Sequence, residues 1–475
     1  GVLGGVDSLI VCGQTLISNG FGASVGLEAA YAQAGGATGS AAGRRLRLRR
    51  HDLRTLLGAG AGAAMAAAFG APLTGAFYAF EIVIGSYTPS AIAPVAAACL
   101  AGVLAASAAG GASYTIDIHP AEAPDLVGYL LFAGLGLFCA AVGIVIVLLV
   151  GRTERIVRAS PIPPILRPAI GGVLLAGLAL VSPQVLSAGH GALHLDLGIG
   201  LPLALLALIF GLKMMGSIVS LAFGFRGGLF FASLFLGSLL GQIYAGLLDL
   251  AFDGVRLSPE NAALVGMGAL GVAVVGGPLT MSFLVLESTR DFGVAAAALA
   301  ASLVASTVVR ERFGYSFSTW RLHLRGETIR SARDVGWMRS LTAGRMMRRD
   351  LRTLPANASV AEFRQRYPLG STSRVILEDA SGRYAGLVIT ALAYAENLAP
   401  DAPIATVAIS QDATLSPEMG VEAVMRAFDE TETEELAVVD GERRALGLLA
   451  ETYVVRRYAQ ELERQQLELF GEARA

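Results

Sequence analysis

The sequence predicts a polytopic α-helical membrane protein built from two repeated halves with broken helices, followed by a soluble tandem α/β module. Three observations carry that reading. Of 475 residues, 54% are hydrophobic and only 16% are charged, whereas a soluble domain carries about 25% charged residues. Two apolar stretches interrupted at a proline are copies of each other: Gly70-Ala71-Pro72-Leu73-Thr74, running on to Glu81, and Gly276-Gly277-Pro278-Leu279-Thr280, running on to Glu287, at the offset 276 − 70 = 206. Beyond Arg321 the apolar runs shorten to strand length, and acidic and basic residues intermix.

Taken in order, the first stretch holds a lone carboxylate. Between Gly1 and Gly43 the acidic groups are Asp7 and Glu28, and no Lys or Arg occurs before Arg44. An ionisable group in lipid costs roughly 2.5–3.5 kcal/mol or more, and is usually functional. The run Ala29-Ala30-Tyr31-Ala32-Gln33-Ala34 has good helix propensity, which puts Glu28 in a first helical turn. Such a terminus attracts an anion, either a side-chain carboxylate or a solute that displaces it. Chain starting at Gly1 inside an apolar region, with no initiator Met, reads as a fragment lacking its N-terminus.

Further apolar segments recur at about 53–83, 91–109, 126–150, 169–181, 201–221, 229–250, 262–286 and 294–309. The 58 glycines suit close helix packing, and broken helices are expected where a membrane protein builds a polar site at mid-depth. Gly26-Leu27-Glu28 has its own copy, Gly228-Leu229-Phe230, at the offset 228 − 26 = 202. Repeats of this kind place the site at the interface of the halves. The arginines from Arg44 to Arg50 and from Arg321 to Arg352 mark cytoplasmic loops. Cys12, Cys99 and Cys139 share no metal-ligand spacing and read as small core residues. His119, His190, His194 and His323 form no constellation and read as loop or interface residues, and no nucleophile with a nearby base is visible. An enzyme is therefore the weakest reading, and a net charge of −2 gives no sign of nucleic-acid binding.

The C-terminal part repeats as well. Thr353 to Gly386 matches Thr414 to Gly447, both spanning 33 positions (386 − 353 and 447 − 414), with Val360 pairing Val421 and Asp379 pairing Asp440. Each unit reads as a helix (360–367 and 421–428), a strand (375–377 and 436–439), a turn and a second strand (385–389 and 446–449).

In this order, Gly26-Leu27-Glu28-Ala29-Ala30, Gly70-Ala71-Pro72-Leu73-Thr74-Gly75, Gly227-Gly228-Leu229-Phe230-Phe231-Ala232 and Gly266-Met267 to Glu287 resemble the CLC family of chloride channels and Cl−/H+ antiporters, and the tandem unit resembles a CBS-domain pair. The resemblance implies a CLC-type inverted-repeat core over 1–320, an Arg-rich linker over 321–339, and cytoplasmic CBS units over 340–398 and 399–467. It implies a homodimer with one anion pathway per subunit in a bacterial plasma membrane, with chloride or a similar small anion and protons as its partners and no cofactor.

Carried over residue by residue, Glu28 matches the family's external gate and proton carrier. Leu229 and Phe230, with Gly228, match positions whose backbone amides face the anion. The pore tyrosine falls at Ser318, leaving Ser318 or Tyr315 to supply a hydroxyl. The internal proton-relay pair falls at Glu81 and Ile82, and isoleucine there is what channel members show. Exchange of chloride for protons gated by Glu28 is the leading reading, with a passive voltage- or pH-gated chloride channel, uncoupled because Ile82 replaces the relay, as the alternative. Glu81 and Glu287 occupy equivalent repeat positions and are expected to share a structural job, such as capping or pairing with Arg, in preference to handling protons. The motifs also depart from the family: Leu27 replaces a basic residue, Ala29-Ala30 replace Gly-Pro, and Ala232 replaces Pro. The serine motif that coordinates the anion is expected to precede Gly1. Neither second strand of the tandem unit is followed by the Asp that would hold a ribose, so a dimerisation scaffold is favoured over weak adenine-nucleotide binding.

Overall fold

The computed structural model describes residues 3–111, 124–193, 200–252, 256–323, 341–458 and 460. His119, His194 and the stretch 324–340 of the Arg-rich linker lie outside them. The chain forms two compact units, Gly1–Arg333 and Asp334–Ala475.

The first unit is helical: α1 (Gly5–Gly20), α2 (Glu28–Arg45), α3 (Arg50–Phe69), α4 (Pro72–Tyr78) running into a π-helical turn (Ala79–Ile84), α5 (Pro89–Ala108), α6 (Leu126–Ala159) and α7 (Arg167–Val181). After a 3-10 turn at Pro183–Val185 come α8 (Leu203–Ala222), α9 (Phe230–Ala251), α10 (Pro259–Val275), α11 (Pro278–Thr289), α12 (Phe292–Arg312) and α13 (Phe317–His323). Among the described residues, five helices are long and apolar enough to cross a membrane. The chain is an integral membrane protein with many passes.

The breaks follow from local chemistry. Gly70 ends α3 in the left-handed conformation (φ 65°), and Pro72 opens α4 where a missing N–H costs nothing. Gly276 and Gly277 (φ 96° and 75°) do the same between α10 and Pro278.

The two halves pack by the same rule. A Cβ on Gly35 of α2 would run into the carbonyl of Gly60 of α3, and one on Gly237 of α9 would meet the carbonyl of Gly266 of α10. These pairs sit at the repeat offsets found in the sequence, 237 − 35 = 202 and 266 − 60 = 206. Small residues let the backbones approach, which is how helices associate where lipid removes the hydrophobic drive.

The proline-started helices are tied together reciprocally. Glu81 accepts from the amides of Leu279 (3.1 Å) and Thr280 (2.8 Å) and from the Thr280 hydroxyl (2.7 Å). Glu287 accepts from the amides of Leu73 and Thr74 (both 2.8 Å) and from the Thr74 hydroxyl (2.7 Å). Each carboxylate caps the helix start of the other half, where orphan N–H groups favour negative charge. Phe77 and Phe283, another repeat pair, stack at 4.4 Å between them.

In the second unit, a short helix α14 (Ala343–Met346) precedes two copies of one motif: β1 (Thr353–Pro355), α15 (Val360–Arg366), β2 (Arg374–Glu378) and β3 (Tyr384–Ile389), then β4 (Thr414–Leu415), α16 (Val421–Thr431), β5 (Glu435–Val439) and β6 (Ala445–Ala450). In each sheet the short first strand pairs parallel to the second, and the second pairs antiparallel to the third. Both antiparallel ladders slip register at the same place, Leu377/Glu378 and Val438/Val439. Asp379 and Asp440 build the turns, accepting from Ser381 (2.7 Å) and Arg383 (3.0 Å), and from Glu442 (2.9 Å) and Arg444 (2.8 Å) amides. The helices and hairpins fall where the sequence puts them; the leading short strands are additional.

Candidate anion site at the meeting of the two halves

Glu28 opens α2 and is 3% exposed. Its segment meets the copy of itself: Gly26 and Gly228 form an antiparallel bridge, Gly26 N–H donating to Gly228 O (2.9 Å) and Gly228 N–H to Gly26 O (3.2 Å). This bridge brings the start of α2 against the start of α9. Glu28 Oε1 accepts from the amide of Phe231 at 2.8 Å, while Oε2 is buried with no hydrogen-bond partner among the described residues. The amides of Leu229 and Phe230 likewise have none among the described residues.

A carboxylate with one oxygen seated and one orphaned, next to two open amides, is a held but incompletely satisfied anion. Burying such an acceptor unpaired costs about 1–3 kcal/mol or more. Gly26 makes the seat possible, because a Cβ there would occupy the place of the Glu28 carboxylate.

Aromatic rings frame the seat. Phe69 lies 5.6 Å from Phe230 and 6.2 Å from Phe231, and Tyr78 meets Phe230 edge-on at 6.0 Å. A cavity of about 600 Å³ opens beside it, lined by Leu27, Glu28, Tyr31, Phe69, His190 and alanines of α3. Largely apolar walls around helix-end amides suit a weakly held halide, since no Lys or Arg is among the described residues lining the cavity.

The structure thus brings together Glu28, Gly228, Leu229 and Phe230. The amide that Glu28 occupies is that of Phe231, one residue beyond the pair singled out in the sequence. Tyr315 and Ser318 are not among the residues lining this cavity. Tyr315 packs with Phe313, Trp320 and His323, its hydroxyl 3.3 Å from His323 Nδ1, and Ser318 is exposed on α13. Glu81 is occupied as a cap on both oxygens. Ile82, in the π-helical turn, lies against Gly277, its Cδ1 being 3.3 Å from where a Cβ there would stand.

Two groups near the site are not placed there by the sequence reading, which takes His190 as a loop or interface residue and passes over Lys213. His190 stacks on the Phe231 ring with centroids 3.7 Å apart. Lys213 of α8 is fully buried; its Nζ donates to the carbonyls of Val185 (3.2 Å) and Ser187 (2.6 Å) and lies 5.8 Å from the Phe235 ring centre. It clasps the loop that leads to His190. Ser187 continues the link, its hydroxyl donating to Asn19 Oδ1 (2.9 Å), while Asn19 Nδ2 donates to Val25 O (2.7 Å), next to Gly26. A lone lysine in an apolar run was the available signal, since an intramembrane cation is functional or structural by default.

Comparison with known proteins agrees with this geometry. Residues 6–310 match the profile of the "Voltage gated chloride channel" family. A "Putative chloride channel protein ClcB-like" of Ralstonia nicotianae is 30% identical over 303 residues, 62% of this chain and 70% of that protein. An "H(+)/Cl(-) exchange transporter ClcA" of Vibrio campbellii is 28% identical over 312 residues, 64% of this chain and 66% of that protein. The chain therefore spans about two thirds of the length of these relatives. Among solved structures, a slow cyanobacterial Cl-/H+ antiporter matches with a TM-score of 0.57 at 25% identity, over 66% of this chain and 75% of the other. A eukaryotic CLC transporter matches with a TM-score of 0.55 at 18% identity over 90% of this chain and 76% of the other, a likeness of fold alone. With the matched family spanning the bridged helix starts and both broken-helix caps, the chain belongs to the voltage gated chloride channel family, the CLC proteins.

Proposed function

We propose that the protein carries chloride across a membrane and exchanges it for protons, with Glu28 as the protonatable gate and the amides of Leu229, Phe230 and Phe231 as the anion seat. The observation that carries this reading is the hydrogen bond from Phe231 N–H to Glu28 Oε1 beside an Oε2 that has no partner among the described residues. Ionised, the carboxylate competes with chloride for helix-end amides; protonated, it loses its claim on them and leaves the seat to the anion. The exchangers among the similar proteins, in Vibrio campbellii and in the cyanobacterial structure, support the proton half of the cycle.

Passive conduction is the second reading. It is favoured by Ile82, an aliphatic side chain at the position where the resemblance puts a proton relay, packed against Gly277. The subunit is proposed to work within a homodimer, and the C-terminal pair to act as a scaffold, since Thr390 and Glu451 rather than Asp follow its hairpins.

Chloride efflux from proteoliposomes with a simultaneous proton readout separates the two readings. Uphill proton movement driven by a chloride gradient establishes exchange, and chloride flux without proton movement establishes a conductor. Glu28→Gln is expected to keep chloride flux while abolishing proton movement; proton coupling that survives the change removes Glu28 from its role.

A further inference from the structure

We propose that His190 is the group that passes protons between water in the cavity and Glu28; this rests on the reading of Glu28 as a protonatable gate. Both side chains line the same cavity of about 600 Å³. Of the titratable groups on its wall, Tyr31 is a phenol that ordinarily titrates near pH 10, too basic to exchange protons at neutral pH, whereas an imidazole titrates near pH 6.5. The α3 wall is alanine and Phe69.

His190 is also held in place. Its ring lies on Phe231 with 3.7 Å between centroids and 25° between planes, and Phe231 is the residue whose amide seats Glu28. The preceding loop is pinned by Lys213 at Val185 and Ser187, and by Ser187 to Asn19 of α1. Among the described residues, the charged and titratable groups that share the cavity wall with the imidazole are Glu28 and Tyr31 of α2, while Lys213 of α8 holds the preceding loop at Val185 and Ser187. The neighbouring face of α9 offers the rings of Phe231 and Phe235.

The step balances simply. As the Glu28 carboxylate leaves the Phe231 amide, an imidazolium N–H bond breaks and a Glu28 O–H bond forms, leaving neutral His190 and neutral Glu28. Cavity water then returns a proton to the imidazole. Proton release runs through the same groups in reverse. A positioned imidazole typically accelerates such a transfer by about 10²–10⁴-fold near neutral pH.

The test uses the full chain in proteoliposomes, with chloride-driven proton flux measured at symmetric pH from about 5 to about 8.5, where an imidazole changes charge. His190→Gln removes the proton shuttle, and His190→Phe removes it while keeping a ring on Phe231. Both are expected to cut proton flux by about tenfold or more near pH 7.5, and to recover to within about threefold of wild type near pH 5, where hydronium reaches Glu28 directly. Recovery at low pH also shows that the variants are folded. A wild-type pH profile in both variants overturns the proposal, as does wild-type behaviour of His190→Phe alone, which would make the ring mere packing. A loss of equal size at every pH overturns it too. Glu28→Gln is run alongside: full proton coupling in that variant sinks the gate reading itself, a result distinct from any outcome at His190.

Discussion

Lys213 carries an amine into the interior of the membrane unit without a carboxylate beside it among the described residues; its partners are two carbonyls, to which Nζ donates, so the polar group is not left unpaired by its burial. Replacing it with Met, close in volume, removes the cost of burying the amine but orphans the oxygens of Val185 and Ser187. Unsatisfied buried acceptors cost about 1–3 kcal/mol, so Lys213→Met is expected to lower the melting temperature of the detergent-solubilised protein, with an unchanged or higher value as the contrary result. Neither Lys213 nor His190 was legible in the sequence as part of the site. The carbonyls that Lys213 binds are 28 and 26 positions away and have no side-chain signature. His190 matters through a stacked ring on a residue of another helix. Glu28 was legible because its isolation in uncharged sequence is a property of the chain itself.

At the scale of elements, the repeat at offset 206 showed that Glu81 and Glu287 share a job, and the structure supplies what that job is. Sequence could not say that each caps the opposite half, because a swap across a two-fold leaves the same pattern as two local caps. With both oxygens of Glu81 engaged by Leu279 and Thr280, the side chain is committed to structure. Glu81→Gln keeps one acceptor and forfeits the charge that faces a helix start. Each single change, Glu81→Gln or Glu287→Gln, is expected to cost about 1–2 kcal/mol of stability. Because both caps hold α4 to α11, the double variant should lose measurably less or more than the sum, by about 0.5 kcal/mol or beyond. Proton flux in Glu81→Gln separates cap from relay: flux kept at the wild-type level with a lowered melting temperature fits the cap, and flux lost at an unchanged melting temperature fits a relay.

For the whole molecule, the division into a lipid-embedded unit and a polar one was readable from composition and the two repeated halves from paired motifs, whereas their inversion came only with the family resemblance. What composition could not reach was which amide seats Glu28, since backbone groups are identical in every residue and only the helix start decides that Phe231 donates. The second unit has cores of its own, around Leu354, Val360, Phe363 and Val375 in one repeat and Leu415, Val424, Phe428 and Leu436 in the other, with Ile376, Leu387, Ala437 and Leu448 joining them. Nothing in these cores depends on lipid, so residues 334–475 expressed alone are expected to unfold cooperatively on heating. One contribution to its acid response comes from Asp379, whose carboxylate is held below the ordinary value of 3.8 chiefly by the amide of Arg383, with the Ser381 amide and the Arg383 charge adding to this. A depressed folded value means that the stabilisation is present above the unfolded value and drains away as pH falls through the folded one. The part of this fragment's melting temperature that Asp379 supplies should therefore hold near neutral pH and decline below about pH 4, as the carboxylate protonates. Asp379→Asn should melt lower than the parent at neutral pH and converge with it toward about pH 2, because protonation has by then removed from the parent what the substitution removed from the variant. Curves that stay parallel across the whole range would show that the turn gains nothing from the charge.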